Sequence, residues 1–305
     1  MNTRSIGSLS VSVIGIGCNN FGWHIGEEQS REVIFAALDA GITHFDTAEL
    51  YGSGESEAIL SRALGNRRND VVLASKFGYG TDGTPETIRS SIEGSLSRLQ
   101  TDRIDLYYIH RPDPNTPIAD TLGELSKLVD EGKVREIGCS GFSEAQLQEA
   151  ASAGTSSRFT AIQNEYSLLH REPEAGMLST CRELAVAFVP YFPLKSGLLT
   201  GKYRLGETAP EDTRLAGKKG SRFETMGDKV LTTEHLTAVE RLISFAEARD
   251  HTILDLAFAY LLAHEPVVSV IAGATKPYQI HANAAATEWA LSPADLDEVR
   301  MLLSP

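Results

Sequence analysis

Val71-Val72-Leu73-Ala74-Ser75, then a helical stretch from Thr84 to Leu99, then Ile104-Asp105-Leu106-Tyr107-Tyr108-Ile109 decide the fold. The first and third pieces have strand length and are apolar nearly throughout rather than alternating. That is the pattern of parallel strands buried on both faces. Between them Ile88, Ile92, Leu96 and Leu99 share one helical face behind a Thr84-Pro85-Glu86 start. Strand, helix and strand at a step of about 30 residues make one βα unit.

The unit repeats in both directions. Further apolar runs lie at Val13–Gly17, Ile42–Phe45, Val134–Gly138, Ala161–Gln163, Val186–Pro190 and Val267–Ile271, bringing the total to eight. Segments of helical period separate them: Glu27–Ala40, Ser56–Leu64, Ile118–Glu131, Glu144–Ala151, Glu174–Leu184 and Pro277–Ala286. Eight units predict an α/β fold of the closed (β/α)8, or TIM, barrel kind, and 305 residues suit a single such domain over 1–305. An open doubly wound sheet more often carries a glycine-rich phosphate turn after its first strand. Here Gly15-Ile16-Gly17-Cys18-Asn19-Asn20 lacks the final glycine of that turn.

Three features lie outside the repeat. Arg4–Ile6 and Leu9–Val11 around Gly7-Ser8 predict an N-terminal β-hairpin. Ser292 to Leu303 predicts a C-terminal helix. After the seventh strand, Lys195–Asp228 has no sustained period and follows a strand's C-terminal end, the active face of such barrels, so it is expected to form a lid. Thr233–Arg249 and Thr252–His264 then read as helices, the second apolar almost all round.

Bulk properties narrow the class. The formal net charge of -13 sets nucleic acid and anionic membranes aside as partners. Cys18, Cys139 and Cys181 are three cysteines without paired spacing, so neither a disulfide framework nor a metal cluster is expected. Met1 to Ser5 carries no signal-peptide apolar core, and the run from Ile253 to Ala263 is too short and interrupted to span a bilayer. A cytoplasmic protein is expected, with its oligomeric state left open.

In such a barrel, polar residues just past strand ends line the active-site mouth. In strand order they are Asp46, Lys76, His110, Ser140, Gln163-Asn164-Glu165 and Tyr191, with Tyr51 in the loop after Asp46. Charges ending buried strands are costly unless paired, and Asp46 and Lys76 are natural partners. Each residue alone has an ordinary reading: Asp46 a turn cap, Tyr51 a surface aromatic, Lys76 an ion-pair member, His110 a satisfied loop histidine. Occurring together at successive strand ends, they read better as one catalytic group.

These motifs resemble the aldo-keto reductase superfamily. The resemblance rests on Phe45-Asp46-Thr47-Ala48 with Tyr51-Gly52, Ser75-Lys76, Ile109-His110-Arg111-Pro112-Asp113 and Gly138-Cys139-Ser140-Gly141-Phe142-Ser143. It continues through Gln163-Asn164-Glu165-Tyr166, Tyr191-Phe192-Pro193-Leu194, Gly197-Leu198-Leu199-Thr200-Gly201-Lys202 and Gly273-Ala274. It implies a barrel that binds NADP(H) across its mouth and reduces the carbonyl of a small aldehyde, ketone or sugar to the alcohol. It also implies that Tyr51 donates the proton, that Lys76 and Asp46 tune it, and that His110 orients the substrate. A lysine ammonium beside Tyr51 is expected to favour phenolate and lower the phenol pKa.

For the cofactor, the resemblance implies Ser140, Gln163 and Asp46 near the nicotinamide and Tyr191 stacked on it. Phe192, Pro193, Leu194, Ser196, Gly197, Leu198 and Lys202 match the segment around the pyrophosphate, and Gly17 and Cys18 the turn under the ribose. Gly141 stands where the family commonly has asparagine. Gly273, Ala274, Thr275 and Lys276 open a helix whose N-terminus suits a phosphate, with Gln279 and Asn283 following. Lys276 is the candidate for the 2′-phosphate of NADP; NAD(H) is the less favoured cofactor. Asn20, Phe21, Trp23 and Tyr79, with Tyr51 and His110, are expected to face the substrate.

Two other classes compete. A cofactor-binding regulatory subunit would keep the site and turn over little. A barrel glycosidase would pair Asp46 with Glu49, but three residues apart in one loop they should not face each other across a sugar.

Overall fold

The computed structural model describes residues 1–211, 213–216 and 227–303. Two antiparallel strands come first, β1 (Thr3–Ile6) and β2 (Leu9–Ser12), joined by a turn in which Gly7 has φ +53°. Eight parallel strands follow: β3 (Ile14–Gly17), β4 (His44–Asp46), β5 (Val72–Phe77), β6 (Ile104–Ile109), β7 (Val134–Ser140), β8 (Ala161–Glu165), β9 (Ala187–Tyr191) and β10 (Val270–Gly273). They pair in chain order, and β10 returns to β3 with Ala272 opposite Ile16. The ring closes at a seam where Phe188 bridges Val267, Phe188 N donates to Pro266 O at 2.7 Å and Val268 N to Phe188 O at 3.0 Å. The fold is a (β/α)8 barrel with an N-terminal hairpin.

The last strand sits later than its apolar run suggests. Pro266 O and Val268 N are committed to Phe188, and Val267 N to His264 O, so the regular ladder with β3 begins only at Val270.

The α-helices with eight or more described residues are α1 (Glu27–Asp39), α2 (Glu55–Leu64), α3 (Pro85–Leu99), α4 (Ile118–Asp130), α5 (Glu144–Ala151), α6 (Met177–Leu184), α7 (Thr233–Glu247), α8 (Ile253–Leu262), α9 (Pro277–Ala285) and α10 (Pro293–Leu302). α3 starts where its sequence says it should, with the Thr84 side chain accepting from Thr87 N and Pro85 in the first turn. α6 starts later than its period suggests. Glu172–Ala175 forms a 3-10 turn that aims Glu174 at the Tyr166 and Tyr260 hydroxyls, at 2.9 and 2.8 Å, and Gly176 separates it from the helix. Among the described residues no helix is long and apolar enough to cross a membrane.

Of the expected lid over Lys195–Asp228, 3-10 turns cover Lys195–Thr200 and Arg214–Ala216, and residues 227–230 are helical. Residues 212 and 217–226 of that stretch lie outside the described residues.

Successive strand residues alternate between two cores. Phe45, Leu73, Tyr107, Ile162 and Phe188 face the helices and pack with residues such as Val33, Leu60 and Ile92. Val72, Ala74, Leu106, Tyr108, Ala161 and Val189 point into the barrel and pack with Ile6, Leu9 and Val11, so the hairpin plugs the strands' N-terminal end. A Cβ at Gly138 would stand 2.5 Å from Tyr108 Cε1, so the inward Tyr108 ring needs glycine at that position of β7.

Candidate active site

The same alternation builds the site. Two residues beyond the inward Ala74, Tyr108, Ala161 and Val189 come Lys76, His110, Gln163 and Tyr191. His44 and Asp46 share one parity on β4, as Gly138 and Ser140 do on β7. The period of two therefore directs the strand-end polar residues into the barrel mouth, above the apolar filling.

At its centre Lys76 Nζ donates to Asp46 Oδ1 at 2.5 Å and to Thr47 O at 2.9 Å. Lys76 is 1% exposed, and so costly a charge persists because Asp46 answers it. Burial works against the ammonium, but attraction from Asp46 and Tyr51 and the Asp46 hydrogen bond prevail, leaving the Lys76 pKa above its ordinary value. Asp46 Oδ2 accepts from Gln163 Nε2 at 2.7 Å, so the carboxylate is bonded from both sides of the barrel.

Tyr51 sits beside this pair, with Lys76 Nζ 5.4 Å from its ring centroid. A tight turn holds it. Tyr51 N donates to Ala48 O at 3.0 Å, and Gly52 follows at φ +58°, where a Cβ would come within 3.1 Å of Phe21 O. Burial raises the phenol pKa, and Lys76 pulls it down without cancelling that rise. The expectation of a lowered phenol pKa is thus corrected. Charge alone was counted, and desolvation of the phenolate is the larger effect.

His110 completes the group, its ring centroid 5.9 Å from that of Tyr51 and edge-on to it. Burial, with Lys76 and Arg111 adding to it, lowers its pKa to about 3, so the imidazole is neutral at physiological pH. His110 Nδ1 is buried and has no hydrogen-bond partner among the described residues. A neutral imidazole, a neutral phenol and a buried ammonium therefore converge, which is equipment for binding and protonating an oxygen that gains negative charge.

Residues around this centre fall into two groups. Ser140 and Gln163 are buried at the ends of β7 and β8, and Tyr191, partly buried, ends β9. Phe192, Lys195 and Ser196 have φ of +52°, +43° and +58°, so the chain from Phe192 through Pro193 and Leu194 to Leu198 makes a tight irregular strap. Gly197 has φ +93°, where a side chain is strained, and a Cβ there would lie 2.9 Å from Lys202 Nζ. Burial and the nearby Arg214 lower the Lys202 pKa, so two cations share one field there. At the start of α9, Gln279 Oε1 accepts from Thr275 N at 2.8 Å and Lys276 N at 3.1 Å, while the Lys276 side chain is exposed and Asn283 is buried. Gly17, Gly273 and Ala274 lie at the ends of β3 and β10, and the neighbouring Cys18 thiol is fully buried and pushed well up by desolvation.

Among the residues assigned to the substrate, Tyr79 is 48% exposed with its ring 5.0 Å from that of His110. Trp23 is exposed and stacks on His24 at 4.2 Å. Phe21 is fully buried in the core, and the polar atoms of Asn20 are engaged: Nδ2 donates to Ala274 O at 3.3 Å and Oδ1 accepts from Arg214 Nη2 at 2.7 Å. In this structure those two residues tie loops together. Glu49 Oε1 accepts from Gly78 N at 3.3 Å and borders an open depression with Asp82 and Asp113, whereas Asp46 lies inside the barrel, so the two carboxylates face different spaces.

Sequence reasoning did not single out Arg214, which lies in an aperiodic stretch and bridges to Asn20. Nor did it foresee Glu57, fully buried on α2, which accepts from Ser75 Oγ at 2.5 Å and Arg98 Nε at 2.6 Å behind β5.

The chain is similar to known proteins along nearly its whole length. The family model described as Aldo/keto reductase family matches residues 13–304. The chain is 36% identical over 304 residues to probable aldo-keto reductase 1 of Glycine max, covering 95% of this chain and 85% of that protein. It is 34% identical to aldo-keto reductase yakc [NADP(+)] of Schizosaccharomyces pombe, covering 98% of this chain and 90% of the other. The solved glycerol dehydrogenase AKR11B4 from Gluconobacter oxydans superposes with a TM-score of 0.84 at 30% identity, over 99% of this chain and 94% of that one.

Proposed function

The chain belongs to the aldo/keto reductase family, and on that premise we propose that it is an NADP-dependent carbonyl reductase with Tyr51 as its proton donor. The observation that carries the reading is the Lys76–Asp46 pair buried beneath Tyr51, with neutral His110 beside it. Residues 1–305 form the one barrel domain. The substrate is a small aldehyde, ketone or sugar.

When bound, NADPH supplies the hydride that reaches the carbonyl carbon. The chain's own residues handle the oxygen. His110, neutral, donates an N–H to the carbonyl oxygen and fixes its direction. The Tyr51 hydroxyl donates the proton that completes the alcohol, and the buried Lys76 ammonium stabilises the phenolate left behind. Asp46 holds Lys76 charged and in place, and Gln163 holds Asp46. Burial keeps the Tyr51 phenol above its ordinary value, so the hydroxyl is protonated at neutral pH and has a proton to donate.

The chain offers suitable groups for the cofactor. Lys202 with Arg214 suits a pyrophosphate, Tyr191 a stacked ring, and Ser140 and Gln163 a carboxamide. Gln279 already occupies the Thr275 and Lys276 backbone N–H groups, so the 2′-phosphate would rest on the exposed Lys276 ammonium. The NADP(+) in the fission-yeast relative's name supports the same choice. Three buried, unpaired cysteines fit a cytoplasmic location.

The test is direct. Purified protein should quench NADPH fluorescence on binding and oxidise NADPH when given a reactive aromatic aldehyde. Binding without turnover across aldehydes, ketones and sugars would replace this reading with that of a regulatory subunit.

A further inference from the structure

Arg111 follows His110 at the C-terminal end of β6 and is exposed at the rim of the mouth. Its guanidinium carbon lies 5.8 Å from the centroid of the Tyr79 ring, which is itself 5.0 Å from that of His110. Arg111 also reaches the other wall, where it hydrogen-bonds the Tyr191 phenol and its charge draws that pKa down against the larger upward pull of burial. The cation therefore stands between the aromatic residues that frame the candidate substrate space.

Two observations indicate that it is placed for a ligand rather than for the fold. First, no carboxylate pairs with it among the described residues, and the acids on neighbouring strand-end loops are engaged elsewhere. Asp113 accepts from Gly83 N, Asn115 N and Thr116 Oγ1, and Glu165 pairs with Lys195 at 2.6 Å. Second, the opposite loop is cut back to admit it. Gly141 has φ +69°, and a Cβ there would stand 2.6 Å from Arg111 Nη1 and 3.3 Å from Arg111 Cδ. Gly141 is itself pinned, its N–H donating to Asn164 Oδ1 at 2.8 Å, so the niche does not close. A fork of donors beside the Tyr79 and Tyr191 rings suits a planar or tetrahedral anion.

Resting on the carbonyl-reductase reading, we infer that Arg111, in the niche left by Gly141, is a specificity residue that selects carbonyl substrates bearing an anionic group, a carboxylate or a phosphate, over neutral ones. The contact supplies binding and orientation and takes no part in proton transfer.

The experiment compares 4-carboxybenzaldehyde with its uncharged methyl ester, using full-length protein and NADPH. In wild type the ratio of kcat/KM, acid over ester, should exceed that of Arg111→Met by about tenfold, the value of one charge-assisted contact at an exposed rim, and the change should lie in KM. Arg111→Lys should recover part of the preference. Gly141→Asn, a residue that tolerates the left-handed region, should lower the ratio with Arg111 still present. Added salt should shrink the wild-type ratio. A formylated sugar phosphate in place of the carboxylate distinguishes the two anions. Calorimetric binding of 4-carboxybenzyl alcohol to both proteins gives an answer independent of turnover. A ratio and an affinity both within about twofold between wild type and Arg111→Met overturn the inference. Absence of turnover with either aldehyde instead counts against the parent reading, and the binding comparison still decides the role of Arg111.

Discussion

Replacing Asp46 with asparagine keeps the shape of the side chain and removes one charge from the most enclosed part of the site. Lys76, 1% exposed, donates to Asp46 Oδ1 at 2.5 Å and Thr47 O at 2.9 Å, while Gln163 Nε2 donates to Asp46 Oδ2 at 2.7 Å. An asparagine offers an oxygen to one of these two donors and turns an amide N–H₂ toward the other. Water does not reach the ammonium to compensate. Removing one partner of a buried pair costs about 3–5 kcal/mol, because the remaining charge stays desolvated. Asp46→Asn should therefore lose about 3 kcal/mol, read as a urea midpoint about 1 M lower at an m-value of about 3 kcal/mol/M. Lys76→Met strands the carboxylate instead, and the double variant removes both charges. The cycle should give a coupling of about 2–3 kcal/mol, the double variant being more stable than the sum of single losses implies. A loss below about 1 kcal/mol with no coupling is the behaviour of a solvated surface pair, and it would refute the claim that burial enforces this partnership.

Other consequences are separable. Gly138→Ala places a methyl 2.5 Å from Tyr108 Cε1 and 2.9 Å from Ala161 O, and should cost about 1–3 kcal/mol of thermal stability; an unchanged melting temperature would show that Tyr108 is not wedged there. Burial lowers the His44 pKa to about 4, so between the unfolded value near 6.5 and that point only the unfolded chain takes up the proton. Stability should be flat above that window and fall by about 3 kcal/mol as pH drops through it, with His44→Gln flattening the slope; an equal slope in the variant would refute the assignment. Lys276→Ala should bring the Kd values for NADPH and NADH together by about tenfold, and equal values in wild type would sink its role as the 2′-phosphate partner.

The fold was legible because a strand buried on both faces must be apolar along its length, and eight such runs leave few other ways to satisfy them. Its errors are local. The last strand starts late because Pro266 O and Val268 N bond Phe188 across the seam, and α6 starts late because Glu174 serves two tyrosines on other elements. Both are contacts between residues far apart in sequence, which periodicity does not encode. Asp46 and Lys76 stood out because charges ending apolar strands need partners. The Gln163 contact to Asp46 spans 117 positions, and nothing local announces it. The direction of the Tyr51 shift was misjudged for a related reason. A lysine is visible in a sequence, whereas the depth at which it and the phenol are buried is not. Arg111 and Gly141 were both visible, but only coordinates show that one occupies the space the other leaves.

The central claim is that Tyr51 delivers the proton. It is tested by measuring NADPH oxidation with an aromatic aldehyde, alongside the NADPH dissociation constant, in wild type and Tyr51→Phe. The account predicts a fall in kcat of about 10²-fold or more with cofactor affinity within about twofold of wild type. Full activity in the phenylalanine variant would contradict it.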